Sequence, residues 1–362
     1  MPAQERIAII GAGIIGASVA FEVSRHGARV TVLDSRTLAG GATQASAGLL
    51  APYTEAHGGG PLFDLTVRGL DAYDGFVKTV RAATPVAFEY RRAGMLEIAD
   101  TPERMVELRG RPAEAWTATA GLEWLDAVSL RVRAPYLRSD ALGGLWCAAH
   151  GHVAVPAFMD AIADAALRSG TVFEFGREVT AIKPSSGAVT VVAGSESRAF
   201  DRVVLCAGAW TPALDPLGTM TGRITPIRGQ LLRLAAPQLQ LTQPLWGASC
   251  YIVPWEDGTV LVGATSEDVG FDERATVEGV RQLLVSAQDL VPALASAGFQ
   301  GVRVGLRPGT PDGLPILGPS RHPRILYAAG HFRNGILLAP LTAQLIANYV
   351  FAGTVDPAFS AA

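Results

Sequence analysis

The sequence predicts an α/β protein in which a Rossmann-like dinucleotide-binding domain is joined to a second, α+β domain built on an antiparallel sheet. Three observations carry this expectation. A β-branched run, a glycine-rich turn, a helix-like stretch and a second β-branched run ending in an acid follow one another within the first 34 residues. Alternating helix and strand patterns return from about residue 153, and strands separated by a short turn follow near residue 255, as in an antiparallel sheet.

Taken in order, Arg6 to Ile10 is the first strand, and Gly11-Ala12-Gly13-Ile14-Ile15-Gly16 leads into a helix that stops at Gly27. In GxGxxG the first glycine permits the tight turn, the second lets backbone N–H groups reach a pyrophosphate, and the third allows close helix-to-strand packing. Ala28 to Leu33 is the second strand, and Asp34 at its end stands where a carboxylate accepts hydrogen bonds from ribose hydroxyls. Next, Gly40-Gly41-Ala42-Thr43-Gln44-Ala45-Ser46-Ala47-Gly48-Leu49-Leu50 has little side-chain bulk and two hydroxyls, so it can lie against a flat cofactor. An amphipathic helix begins near residue 62, Gly94 to Ala99 reads as a strand, and Glu103 to Leu125 reads as helix broken at Pro112.

Ala157 to Arg168 is then a helix, with strands near Thr171 to Phe175, Val189 to Val192 and Arg202 to Leu205. The last runs into Cys206-Ala207-Gly208-Ala209-Trp210, a small-residue turn of the kind found beside a ligand. Tyr251 to Pro254 and Val260 to Ala264 are strands flanking the turn Glu256-Asp257-Gly258. Gly305 to Thr310, Asp312-Gly313 and Gly330 to Gly335 read as glycine-flanked loops ahead of a last helix started by Pro340. The cofactor domain is therefore discontinuous, with 1–80, 145–215 and 305–362 in it and 81–144 and 216–304 in the substrate domain.

Composition narrows the function. A net charge of −3 and no long basic stretch argue against nucleic acid as a partner. Lys78 and Lys183 are the only lysines, which disfavours Schiff-base chemistry. Three widely spaced cysteines, Cys147, Cys206 and Cys250, suit a reducing compartment, expected to be the cytoplasm, better than a disulfide framework or a zinc site. His150 and His152 lie beside Cys147 but lack further ligands at metal spacing, so no metal is expected. The uncharged stretch Ile7 to Phe21 reads as folded protein and not as a secretory segment. Asn334 to Val355 is long enough to span a bilayer, but Pro340, Gln344 and Asn348 interrupt it, so a buried helix is expected and no membrane span.

These residues resemble the flavin amine oxidases of the D-amino-acid oxidase and sarcosine oxidase type, and most closely the glycine oxidases. The resemblance runs the length of the chain and is most specific in Cys250-Tyr251-Ile252-Val253-Pro254, in Gly305-Leu306-Arg307-Pro308-Gly309-Thr310 and in Ala329 to Pro340. It implies FAD in a glutathione-reductase-like domain. It also implies oxidative deamination of glycine, or another small amino acid such as sarcosine or a D-amino acid, by hydride transfer from Cα to flavin N5. The imine then yields a 2-oxo acid and ammonia, O2 is the electron acceptor and H2O2 is formed; in glycine oxidases the imine also feeds thiamin thiazole synthesis. A homo-oligomer is compatible with this reading.

Carried over by position, the resemblance puts Arg307 on the substrate carboxylate, Tyr251 in hydrogen-bonding reach of it, and Arg333 as a second arginine of the site. Guanidinium meets carboxylate through two parallel charge-assisted bonds, which fixes orientation as well as adding energy. Ile14, Ile15, Ser35, Val179, Ala207, Gly208, Trp210, Gly305, Arg307, Phe332, Arg333 and Asn334 are implied to touch the cofactor. The N–H groups of Gly335, Ile336 and Leu337 are implied to meet charge near flavin N1 and C2=O. His331 is implied to be a structural hydrogen-bond partner in that loop, and no general base is assigned. The flavin is expected to be non-covalent, because the three cysteines lie outside the C-terminal loops where sarcosine oxidases carry their flavin link.

Ser249 and Ser266 stand where a glycine oxidase has His and Met, which opens the expected pocket wall and the substrate preference with it. The alternatives are a D-amino-acid dehydrogenase of the same fold passing electrons to a quinone or carrier, an NAD-dependent dehydrogenase, and a non-catalytic dinucleotide-binding module.

Overall fold

The computed structural model describes residues 4–55 and 58–359. Strand β1 (Arg6–Ile10), helix α1 (Ile14–Arg25) and strand β2 (Arg29–Asp34) form the opening unit. Strand β3 (Leu49–Leu50), the single turn α2 (Pro52–Glu55) and the long α3 (Pro61–Ala83) follow, then β4 (Tyr90–Arg91), β5 (Met95–Ala99), α4 (Pro102–Gly110), β6 (Leu122–Asp126), α5 (Ala127–Arg133) and β7 (Gly143–Cys147). The chain continues through β8 (Gly151–Val153), α6 (Val155–Arg168), β9 (Val172–Phe175), β10 (Val179–Pro184), β11 (Val189–Ala193), β12 (Glu196–Phe200), β13 (Arg202–Leu205) and the short α7 (Thr211–Leu214). It closes with β14 (Thr225–Ala235), β15 (Leu245–Trp246), β16 (Tyr251–Pro254), β17 (Thr259–Gly263), α8 (Val277–Leu290), β18 (Gly298–Gly309), β19 (Ile316–Pro319), β20 (Ile325–Ala329) and α9 (Gly335–Ala352).

Among the described residues the first large sheet has the order β19-β20-β13-β1-β2-β9. Its strands run parallel except β19. Parallel strands are buried on both faces, and β1 shows it: Ile7 and Ile9 pack with α1, α3, α6 and α9, while Ala8 and Ile10 pack with the meander β10-β11-β12. The second large sheet has the order β18-β14-β17-β16-β15-β5-β7-β6, is antiparallel except between β15 and β5, and packs α8 on one face. A small sheet, β3-β8-β4, is hydrogen-bonded to neither but shares the core of the first through Leu50 and Val153.

Three expectations are corrected. Helix ends at Gly110, and after turns around Pro112 the residues Leu122–Asp126 form strand β6 against β7, because a place beside Gly143 accepts the ring of Trp124. Gly305 to Gly309 is not a loop but the end of the 12-residue strand β18, paired along β14 from Thr225 to Ala235. Its glycine serves close packing: a Cβ at Gly305 would stand 3.0 Å from Ala42 Cα. Lastly α9 starts at Gly335, and Pro340 lies inside it. A proline there forfeits one helical hydrogen bond, and the burial of Ile336, Leu337, Leu338 and Leu341 outweighs that loss. Helix α9 is long and apolar enough to cross a membrane, and 67% of it is buried inside the fold against α1 and α3.

Candidate active site

A cavity of about 550 Å³ lies where the ends of β1, β2 and β13 meet β14, β16, β17 and β18 of the second sheet. Its wall contains Gly11, Gly13, Ile14, Ile15, Asp34, Ser35, Thr43, Ser46, Ala47, Gly48, Leu49, Val179, Ala207, Gly208, Trp210, Tyr251, Gly305, Arg307, His331, Phe332, Arg333, Gly335 and Ile336. Five residues expected there lie elsewhere. Gly16 sits behind the wall, where a Cβ would overlap the Gly11 carbonyl, so its part is the helix-to-strand contact. Gln44 is exposed, with Nε2 donating to the Val304 carbonyl at 3.3 Å. Leu50 and Leu337 are core residues, and Asn334 is the buried residue preceding α9.

One half of the cavity is built for a dinucleotide. Gly11 holds φ +110°, and a Cβ there would overlap the Cys206 carbonyl, so only glycine lets β1 turn this close to β13. Thr43 Oγ1 accepts the N–H of Ile14 at 3.1 Å, which fixes the 42–45 turn over the start of α1. Asp34 Oδ2 accepts the N–H of Ala12 at 2.7 Å, and Oδ1 that of Arg36 at 2.8 Å. The carboxylate is thereby held at the cavity wall with lone pairs left for ribose hydroxyls. Two helices, α1 and α9, begin at this wall, and the N–H groups of a helix's first turn have no partner within the helix. That pairing of donors with an acid at the end of β2 fits the pyrophosphate, ribose and flavin edge of FAD.

The other half carries two arginines and a tyrosine. Arg307 lies on β18 opposite Ile227 of β14, and its guanidinium covers Gly229 of that strand, where a Cβ would overlap it. NH1 donates to the Thr265 carbonyl at 3.0 Å. Burial lowers the Arg307 pKa from its usual value, and the neighbouring Arg333 acts the same way, while Tyr251 and Glu55 oppose it. Tyr251 opens β16 and lies over Gly263 of β17, its phenol pushed up by burial and pulled back by Arg307. The segments bearing the two arginines are tied together, since Phe332 N donates to the Pro308 carbonyl at 3.0 Å. Phe332 holds φ +47°, a conformation rare for a bulky residue and characteristic of functional loops.

Glu55, at the end of α2, completes the site and was missed by sequence reasoning. Burial raises its carboxyl pKa, against the pull of Arg333 and then Arg307. Its neighbour Thr54 donates to Glu97 Oε2 at 3.0 Å, and Glu97 is buried and paired with Arg111 at 2.7 Å and with Arg104. This network holds α2 against the second sheet. The segment Trp246 to Cys250 also lines the cavity, with Ser249 exposed at its edge. Ser266, expected in the wall, is exposed and off the cavity, and Thr265 lines it instead.

His331 Nε2 meets Thr342 Oγ1 at 3.1 Å, and burial lowers its pKa to about 3. His150 is fully buried, and its Nε2 accepts the N–H of Tyr53 at 3.1 Å. Among the described residues no cluster of His, Cys, Asp or Glu has the arrangement of a metal site.

Residues 6–349 match the family described as FAD dependent oxidoreductase. The glycine oxidase of Geobacillus kaustophilus is 33% identical over 349 residues, covering 95% of this chain and 92% of that protein. The bifunctional protein ThiO/ThiG of Nostoc sp. is 36% identical over 360 residues, 98% of this chain, and this chain spans 54% of its length. A crystal structure of the Geobacillus enzyme superposes with a TM-score of 0.90 at 31% identity, covering 96% of this chain and 95% of the other. That of an iminodiacetate oxidase from Chelativorans sp. gives 0.87 at 28% identity, covering 97% and 96%.

Proposed function

The chain belongs to the FAD dependent oxidoreductase family, and from that premise we propose that it oxidises glycine or another small amino acid, such as sarcosine or a D-amino acid, with O2 as acceptor. Overall, amino acid, O2 and water become a 2-oxo acid, hydrogen peroxide and ammonia, or methylamine where the substrate is sarcosine. The observation that supports this most strongly is a partly buried guanidinium, Arg307, facing the same cavity as the dinucleotide-binding loops, with Tyr251 and an acid beside it.

FAD, when bound, supplies the two-electron acceptor for the hydride on the substrate's Cα. We assign it, without a covalent link, to Gly13, Ile14, Asp34, Thr43, Ala47, Gly208 and the start of α9 on the six-stranded side, and Cys147, Cys206 and Cys250 are free and buried, as a reducing cytoplasm allows. The segments 1–80, 145–215 and 305–362 make up the cofactor domain in this reading, with β7 and β18 passing into the substrate sheet. Arg307 binds the carboxylate in fork geometry and so sets which face of Cα is presented. Tyr251 donates its hydroxyl to the same carboxylate. Arg333, more exposed than Arg307, adds positive charge at the rim. Glu55 faces the amine end. With its raised pKa it is the group in this cavity suited to exchange a proton with the substrate ammonium, which must lose a proton before Cα can release hydride.

Replacing Arg307 with Ala tests the reading. With an amino acid, kcat/KM should fall by roughly 10³ or more, since both binding and orientation are lost, while the protein stays yellow. With an amine of the same size and no carboxylate, wild type and variant should be equally slow. Full activity on amino acids, or an equal loss on both substrates, contradicts the assignment.

A further inference from the structure

A strap formed by residues 265–276 leaves the substrate half of the cavity and reaches its dinucleotide half. At its start the Thr265 carbonyl holds Arg307. Along its length Arg228, 4% exposed, grips it: NH2 pairs with Glu267 Oε2 at 2.5 Å, and NH1 pairs with Asp272 Oδ2 at 3.0 Å and donates to the Arg274 carbonyl at 3.2 Å. At its far end Glu273 receives both terminal nitrogens of Arg36, at 2.8 and 2.7 Å. Arg36 follows Asp34 by two residues and lines the cavity. Its guanidinium carbon lies 4.4 Å from the centre of the Trp210 ring, another wall residue, and Phe271 of the strap packs on that ring at 5.6 Å. Arg36 NH1 also donates to the Gly40 carbonyl at 3.1 Å, at the start of the small-residue turn that covers α1.

We propose that Arg36, Glu273, Trp210 and Phe271 form a clasp that retains the cofactor, joining the two sheets across the dinucleotide end of the cavity. The inference rests on the reading of this cavity as an FAD site. The residues that make the clasp come from three separate segments: Arg36 follows β2, Trp210 precedes α7, and Phe271 and Glu273 lie on the strap. A bidentate, planar contact that also stacks on an aromatic face fixes orientation in a way a lysine or a single hydrogen bond would not. The pair is partly exposed, with Arg36 at 36% and Glu273 at 29% side-chain exposure, so the clasp can open without unfolding and weakens with salt. As positioning residues for the cofactor, its members act on how long FAD stays and not on how the amino acid is held.

The test is the rate at which FAD leaves the holoenzyme, read as the recovery of free-flavin fluorescence after dilution. Glu273→Gln and Arg36→Gln should each speed release about 10-fold or more, and the double variant should be no faster than the faster single one. Phe271→Ala should give a smaller increase through Trp210. Raising salt should speed wild-type release and leave Glu273→Gln unmoved. KM for the amino acid, measured with saturating FAD, should stay within about twofold. A control substitution at the exposed Glu278–Arg281 pair of α8 should change nothing. Release rates within twofold of wild type, additive effects in the double variant, or a KM that rises in parallel overturn the clasp. A wild-type protein that holds no FAD at all overturns both the clasp and the reading beneath it, whereas a yellow protein with unaltered release overturns the clasp alone.

Discussion

Arg307 and Gly229 work as a pair, because the guanidinium occupies the space that a side chain at 229 would need. Gly229→Ala should therefore displace Arg307 without touching the cofactor loops, lowering kcat/KM for amino acids about 10-fold to 100-fold at constant flavin content. Steady-state assays beside the flavin absorbance check this. Glu55 gives a prediction of opposite sign for stability. Its folded pKa is raised, so the folded state binds that proton more tightly than the unfolded one. The stability this provides is fully present below the ordinary carboxyl pKa and is lost as pH rises through the folded value. Glu55→Gln should melt higher than wild type at pH 8, with the difference gone near pH 4, while its kcat/KM loses the acid-side dependence on pH. The place of Arg307 and Tyr251 on the cavity wall was legible because each stands within a distinctive local run. Glu55 was not: its significance comes from burial beside two arginines on other elements, and nothing in its local sequence marks it. Ser266 failed for the opposite reason, since its neighbour Thr265 is the one turned to the cavity.

At the scale of elements, the opening βαβ unit was read almost to the residue, because each signal in it is local: β-branched runs, GxGxxG, a glycine stop and an acid at the strand end. The hydrogen bonds of Asp34 to Ala12 and Arg36 make that acid part of the turn as well as of the binding wall. Asp34→Asn should weaken FAD by ~1.5–3 kcal/mol through loss of a charge-assisted acceptor, seen as a Kd increase in a flavin fluorescence titration. An unchanged Kd would remove Asp34 from the site. Strands β6 and β18 were misread because their identity comes from a distant partner. Gly305 and Pro308 look like loop residues alone, yet β14 supplies the ladder for all of that strand. The start of α9 was misplaced because Pro340 resembles a first-turn proline, while the burial that carries the helix past it is set by α1 and α3.

For the whole molecule, two buried histidines set a limit on acid tolerance. Burial lowers the pKa of both His150 and His331 to about 3, so between the unfolded value near 6.5 and that point the unfolded chain binds more protons. Stability should fall as pH drops through this window by ~1.4 kcal/mol per pH unit for each histidine. Urea unfolding from pH 7 to pH 4.5 should show the decline, and His150→Gln should blunt it. The larger consequence of the architecture is that one cavity is walled by both sheets, with the glycine-rich loops of one and the Arg307 guanidinium of the other. On the proposed function, a small amino acid bound to Arg307 would reduce the flavin directly. Mixing the FAD-loaded protein, without oxygen, with glycine, sarcosine and small D-amino acids tests this most directly. At least one of them should bleach the yellow band within a single turnover, roughly 10³-fold more slowly in Arg307→Ala, and admitting air should restore the colour with one peroxide per amino acid. A protein that holds FAD and keeps its colour with every one of these amino acids would contradict the account.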